Sequence, residues 1–251
     1  MTTMRAAVCV RPGGPEVLQI HERPIPAVRR GWSLIHVKGT GLNRSELRTR
    51  QGHSPSVRLP RVLGIEGVGI VVESTDPRLS EGTTVAAVMG GMGRDFDGGY
   101  AEFALLPNAL LMPVTTSLPW EVLAALPETY LTAQGSLDTL GVAAGRRLLI
   151  RGGTSSVGLA AASIAAGHGA EVAATTRQEH KAGVLRAAGV RHVLMDGDAA
   201  TGVHEIWPDG PDLVLELVGA RTVAGSLRLV RPGGTVCVSG SLSGWSIPDF
   251  E

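Results

Sequence analysis

From about residue 118 onward the chain alternates short apolar runs with helical repeats, and that alternation leaves few folds open. The runs are "LLI" at 148–150, "EVAATT" at 171–176, "HVLM" at 192–195, "DLVLEL" at 212–217 and "TVCVSG" at 235–240. Between the first two, Val157, Ala160, Ala161, Ile164 and Ala165 keep the i, i+3, i+4, i+7, i+8 spacing of a helix with one apolar face, and Gly167 and Gly169 can end it. Strands alternating with helices build a parallel sheet covered on both faces. A full doubly wound dinucleotide fold has six strands in the order 3-2-1-4-5-6. This chain offers five, so the sheet is expected to be one strand short. Upstream, "SLPWEVLAALPETYLTAQGSLDTL" predicts a helix with Ser117 as N-cap and Pro119 in its first turn.

The first 117 residues follow another pattern. "RAAVCV", "SLIHVKG", "VGIVVE", "TTVAAVMG" and "AEFALLP" are strand-like runs broken by turn clusters such as "RPGGPE" and "STDPRLSEG". Short strands without long helical stretches predict a small β-barrel or sandwich. The expected domains are therefore 1–117 and 118–251, joined directly with a cleft between them, since neither a repeat nor a low-complexity linker intervenes. Of 251 residues 43% are hydrophobic and the formal net charge is zero, which supplies apolar cores but no basic excess for nucleic acid or membrane surfaces. No apolar run approaches the roughly 18 residues of a membrane span, and the N-terminus lacks a signal-peptide core. Cys9 and Cys237 lie in apolar runs and read as inert buried thiols, with a reducing cytoplasm as the default location.

The stretch "LLIRGGTSSVGLAA" at 148–161 is a strand, a glycine turn and a helix start. Such a turn aims free amides and the positive end of a helix dipole at one point, where a pyrophosphate fits. Gly153, Ser155, Ser156 and Val157 are the expected contacts, the serine hydroxyls supplementing the amides, while Gly158 permits close helix–strand packing. About 20 residues on, folds that bind NADH place a carboxylate on the ribose 2′-hydroxyl. Here strand two ends "AATTRQEHK": Thr175 and Thr176, then Arg177, with Lys181 one turn later and Glu179 as a counter-signal. Hydroxyls and cations accept a 2′-phosphate that a carboxylate would repel, so the expected cofactor is NADPH.

Taken together, "RAAVCVRPGGPEVLQI", "GTGLNRSELRTRQG", "PRVLGIEGVGIVV", "GGYAEFALLP", "LLIRGGTSSVGLAA", "DLVLELVG" and "LVRPGGTVCVSG" resemble the medium-chain dehydrogenase/reductase superfamily, in its zinc-independent quinone oxidoreductase-like branch. The resemblance covers essentially the whole chain. It implies a GroES-like catalytic domain, then a Rossmann-type domain, with a nicotinamide cofactor in the cleft. Zinc-dependent members carry Cys at the position of Asn43 and His at that of Ile65; only Glu66 and Glu128 remain nearby, so no metal is expected and Glu66 reads as a structural acceptor. Asn43 is the candidate hydrogen-bond donor in the active cleft, or a contact to the nicotinamide side. Tyr130 joins it as a catalytic candidate, and Thr129 or Thr132 meets the nicotinamide ribose. Val218 and Gly219 after strand four, and Gly240, Ser241 and Leu242 in "SGSLSGW" after strand five, complete the implied cofactor contacts.

Without a Lewis acid, hydride transfer suits a quinone or an α,β-unsaturated carbonyl, whose developing oxyanion needs only hydrogen-bond donors. The proton donor stays open among Ser45, Arg48, a bound water and the loop residue His53. Two alternatives remain: a reductase of another activated double bond, and a catalytically weak NADPH-binding redox sensor or accessory protein. Relatives continue for about half a domain and commonly form homodimers through their last strand, so the chain is expected to be part of a longer protein.

Overall fold

The computed structural model describes residues 2–244 and 246–247, which fall into two compact units, Met1–Glu128 and Thr129–Glu251. Trp245 of "SGSLSGW" lies outside the described residues.

In the first unit, β1 (Thr3–Cys9) pairs antiparallel with β2 (Leu18–Pro24) and with the two-residue β4 (Arg61–Val62). A second, five-stranded antiparallel sheet runs in the order β7 (Phe103–Pro107), β3 (Trp32–Gly39), β5 (Glu66–Ser74), β6 (Thr84–Val88), β8 (Leu111–Pro113). The five sequence-predicted runs are β1, β3, β5, β6 and β7. β2 and β8 carry no alternating apolar signal, because most of their residues are exposed or half-buried. One short helix, α1 (Arg44–Arg50), follows β3. Ile35, Val71, Val85, Ala87 and Leu106 form a core of fully buried side chains.

The helix predicted from Ser117 is two helices. Pro119 precedes α2 (Trp120–Leu123), and α3 (Pro127–Leu140) begins afresh. Pro127 has no N–H to give the Leu123 carbonyl, which ends α2 after one turn. Ser117 is not the cap: the Thr116 hydroxyl accepts from the Leu118 N–H instead. Leu123 and Ala124 of this segment pack on Val68 and Ala86, within the first unit, whose limit at Glu128 lies beyond the change of sequence pattern at 117.

The second unit is a five-stranded parallel sheet: β9 (Arg147–Arg151), β10 (Glu171–Thr176), β11 (His192–Met195), β12 (Leu213–Glu216) and β13 (Thr235–Val238). Its order, β11-β10-β9-β12-β13, is the predicted 3-2-1-4-5 among the described residues. The connecting helices are α4 (Ser156–Gly167), α5 (Ala182–Ala187), α6 (Ala199–Ile206) and α7 (Ala220–Leu229). Alternate strand residues bury on opposite faces. Leu148 and Ile150 pack with Ala160, Ala161 and Ala165 of α4, whereas Leu149 packs with Val203, Trp207 and Leu229. The small alanines of α4 let it lie close to the sheet, and truncating a fully buried leucine of these strands to alanine costs about 2–5 kcal/mol. β9 lies between β10 and β12, so crossovers leave it in both directions and a crevice opens at the carboxyl ends of the strands.

Candidate nucleotide and active site

Three loops of the second unit meet at that crevice. The first follows β9. The Gly152 N–H donates to the Thr175 hydroxyl (3.1 Å) and the Gly153 N–H to the Thr175 carbonyl (3.0 Å), anchoring the turn to the end of β10. Ser155 caps α4: its hydroxyl donates to the Gly152 carbonyl (2.9 Å) and accepts from the Gly158 N–H (3.1 Å). That hydroxyl is thus bonded within the turn. The amides of Ser156 and Val157, in the first turn of the helix, have no intrahelical acceptor and lie at its positive end. Gly158 is required by distance, since a Cβ there would stand 2.6 Å from the Gly153 carbonyl and 2.8 Å from that of Gly152.

The second loop follows β12 and is organised by Glu216. This fully buried carboxylate accepts from the N–H groups of Val218 (2.7 Å) and Gly219 (3.1 Å), and from the hydroxyls of Thr222 (2.9 Å) and Ser226 (2.6 Å). Gly219 has φ 98° and ψ −142°, a backbone region effectively restricted to glycine. A Cβ on it would also lie 2.9 Å from the Ser241 Cα, so the third loop, after β13, packs directly on this turn. The N–H groups of Ser239 and Gly240 donate to the Glu216 carbonyl, and that of Ser243 to the Val218 carbonyl. Leu242 is exposed at the tip.

The sequence-predicted contacts Gly153, Ser155, Ser156, Val157, Val218, Gly219, Gly240, Ser241 and Leu242 therefore lie on these three loops. On α3, Thr129, Thr132 and Ser136 share one face by their i, i+3, i+7 spacing. Ser136 donates to the Thr132 carbonyl (2.8 Å) and shares a 2.7 Å hydrogen bond with the Ser239 hydroxyl. Tyr130 lies off that stripe and is exposed. At the end of β10, Thr176 is buried, with its hydroxyl donating to the Gln178 carbonyl and accepting from the Gln178 N–H. Arg177 and Lys181 are exposed, and neither forms an ion pair among the described residues.

In the first unit, Asn43 begins α1, and its N–H donates to Glu46 Oε2 (3.1 Å). Its side-chain Nδ2 donates to Glu66 Oε1 (2.7 Å), and the other oxygen of Glu66 accepts from the Glu128 N–H (2.9 Å). Glu66, 2% exposed, is thus the structural acceptor expected from the sequence. Glu46 Oε1 accepts from the Ile65 N–H (2.8 Å); burial pushes the Glu46 carboxyl above its ordinary range despite these donors. Burial also raises the Tyr100 phenol, with the Glu46 and Glu66 charges adding to it. Of the proton-donor candidates, Ser45 accepts from Arg94 (2.6 Å) and His53 is exposed in the loop after α1.

Sequence reasoning missed Glu216 and the ion pair of buried Arg151 with half-buried Asp196 (3.1 Å) beside the turn before α4. The available signal was a charged residue inside an apolar strand, in "DLVLEL" and "LLIR", which only paired burial can accommodate.

Residues 29–116 match the family model described as alcohol dehydrogenase GroES-like domain, and residues 156–249 match that described as zinc-binding dehydrogenase. A quinone oxidoreductase of Rattus norvegicus is 31% identical over 249 residues, covering 94% of this chain and 73% of the relative. The chain belongs to the medium-chain dehydrogenase/reductase superfamily, in its quinone oxidoreductase-like branch. Among solved members of the superfamily, an NAD-dependent alcohol dehydrogenase is 30% identical with a TM-score of 0.91, covering 99% of this chain and 80% of that one. A mycobacterial protein solved complexed with NADPH is also 30% identical, with a TM-score of 0.87 and coverage of 98% and 76%.

Like other members of the superfamily, this chain is an oxidoreductase that uses a nicotinamide cofactor, and the glycine-lined turn before α4 fits one. Among the described residues, those at the family's zinc positions do not fit the ion. Ile65 has no donor atom, Asn43 Nδ2 is committed to Glu66, and no described group of three or more His, Cys, Asp or Glu is arranged to share an ion. No helix among the described residues is long and apolar enough to cross a membrane.

Proposed function

We propose that this oxidoreductase uses NADPH to reduce a quinone or an α,β-unsaturated carbonyl, without zinc. The observation that carries the cofactor choice is the end of β10, where Thr176 is followed by Arg177 and Lys181, two exposed cations without a carboxylate partner among the described residues. A 2′-phosphate gains charge-assisted hydrogen bonds from such groups. The amides of Ser156 and Val157 hold the pyrophosphate. Thr129 or Thr132 meets the nicotinamide ribose, and the loops carrying Val218, Gly219, Gly240, Ser241 and Leu242 flank the remainder. Residues 118–251 thereby form the cofactor domain, which also carries the catalytic candidate Tyr130, and residues 1–117 supply Asn43.

When bound, the nicotinamide ring supplies the hydride. The chain's own contribution is orientation and charge stabilisation. Glu66 fixes which way the Asn43 amide faces, so the second Nδ2 hydrogen is left to donate to the oxygen that becomes negative on the acceptor. Tyr130, exposed on α3, is the second catalytic candidate, and the proton comes from one of Ser45, Arg48, His53 or a bound water.

Steady-state assays with NADPH or NADH against a panel of quinones and enones test this directly. Arg177→Ala should raise the KM for NADPH about tenfold and leave that for NADH unchanged, a loss of about 1–2 kcal/mol on the phosphorylated cofactor alone. Equal effects on both cofactors would refute the NADPH assignment. Tight NADPH binding without oxidation by any acceptor would refute the reductase and favour the sensor.

A further inference from the structure

Apart from all the residues assigned above, the first unit holds a groove of about 490 Å³ between the β1–β2–β4 sheet and strands β3 and β7. We propose that this groove is a second binding site, for a planar aromatic acid. Its floor is apolar, with Met4, Val62, Ala104 and Leu105 among its residues. Three aromatic rings stand around it. Trp32 and Phe96 meet edge to face, with centroids 5.1 Å apart at 81°, and Phe103 stacks on His36 at 4.9 Å. Such a volume is within the range of small-molecule pockets, about 300–1,000 Å³.

Charge decides which small molecule. Arg23, Arg29 and Arg61 line the groove against a single carboxylate, Asp97. Asp97 is already shared three ways: it accepts from Arg61 Nη1 (3.0 Å) and the Val62 N–H (3.1 Å), and pairs more distantly with Arg23 (3.7 Å). Arg29 has no carboxylate partner among the described residues. Its guanidinium lies 3.9 Å from the Trp32 ring centroid, held over an aromatic face at the margin of the groove. An apolar slot walled by rings, with a rim carrying more guanidinium than carboxylate, matches a flat ring with a carboxylate at one edge. The ring occupies the slot and the carboxylate meets Arg29 and Arg23. A neutral arene would leave the excess positive charge unanswered, and a cation would be repelled by it.

Isothermal titration of the full chain with 2-naphthoate, and with uncharged 2-naphthamide as its shape match, tests the assignment. The acid should saturate a single site with a Kd below about 1 mM, and the amide should bind about tenfold more weakly. Arg29→Glu, an exposed substitution, should weaken the acid about tenfold and leave cofactor oxidation unchanged. Trp32→Leu should weaken acid and amide alike. The proposal is overturned if the acid shows no saturable binding, or if acid and amide bind equally. It is also overturned if the affinity for the acid is indifferent to both substitutions, which would place the ligand elsewhere on the molecule.

Discussion

The turn before α4 and the start of α1 each have to fix a few polar groups, and they do so by different means. Before α4 the chain uses backbone and the lack of side chains. Gly158 lets the helix approach the Gly152 and Gly153 carbonyls, and Ser155 closes the cap locally. At α1 the chain uses two buried carboxylates far apart in sequence, Glu46 and Glu66, to hold the amides of Asn43, Ile65 and Glu128. A site made of close backbone approaches should fail abruptly when atoms are added. One made of carboxylates should fail by degrees, as acceptors are removed or titrated.

The largest expected effect follows from the first half of that contrast. Gly158→Val places branched carbon against two backbone carbonyls that cannot move aside without unwinding the turn, at a cost of about 3 kcal/mol or more. Calorimetric unfolding should show the loss, and NADPH fluorescence titration should show cofactor binding abolished. A variant that bound NADPH normally would mean the turn is more compliant than its distances imply.

Next comes Glu66. Glu66→Ala leaves Asn43 Nδ2 and the Glu128 N–H without their Glu66 acceptor, which costs about 1–3 kcal/mol for two half-buried donors. Because the Asn43 amide then loses its fixed orientation, kcat should fall about tenfold, with the KM for NADPH little changed. Glu66→Gln, which keeps one accepting oxygen, should lie between the two in both unfolding and kcat. An unchanged kcat in a folded Glu66→Ala protein would remove Asn43 orientation from the mechanism.

The same contrast explains how much could be read from the sequence. Backbone-built features leave local marks. Strand runs, the "GGTSSVG" turn and the helical spacing after it placed β9 to β13 in order and located the turn before α4, because each depends on neighbours within a dozen residues. The carboxylate-built node leaves one, the Asn-x-x-Glu capping spacing of Asn43 and Glu46. Nothing near Glu66 announces that it joins them, since β5, the start of α1 and the start of α3 meet only in the folded unit. Resemblance to known relatives points to Asn43 and to Glu66 as a structural acceptor, but not to the hydrogen bond that joins them. β2 was missed because a strand with one face in solvent and a proline at its end has little apolar periodicity to show. The helix predicted from Ser117 failed for a local reason that was visible, the missing N–H of Pro127.

Titration offers the finest test, because the two units carry acids shifted in opposite directions, half-buried Asp212 and buried Glu46. Asp212, at the start of β12, is raised by burial but lowered more by the Arg147 N–H (2.8 Å), the Arg231 Nε (2.6 Å) and Arg146, so its carboxyl ends below the ordinary 3.8. A depressed carboxyl stabilises the fold above its unfolded value and loses that contribution as pH falls through the folded one. Glu46 is the reverse: burial raises it above 4.5, so its contribution is complete below that value and is lost as pH rises through the folded one. Urea unfolding at about pH 7 and about pH 2.5, below the ordinary carboxylate range, should therefore move the two wild-type-minus-variant margins in opposite directions. Asp212→Asn should cost about 2 kcal/mol at neutral pH, with the difference shrinking in acid. For Glu46→Gln, which cannot serve both the Asn43 and Ile65 N–H groups, the wild-type margin should widen in acid instead. Margins that move together would mean that Glu46 stays charged as readily as Asp212 does, and that its two backbone donors, rather than burial, govern its titration.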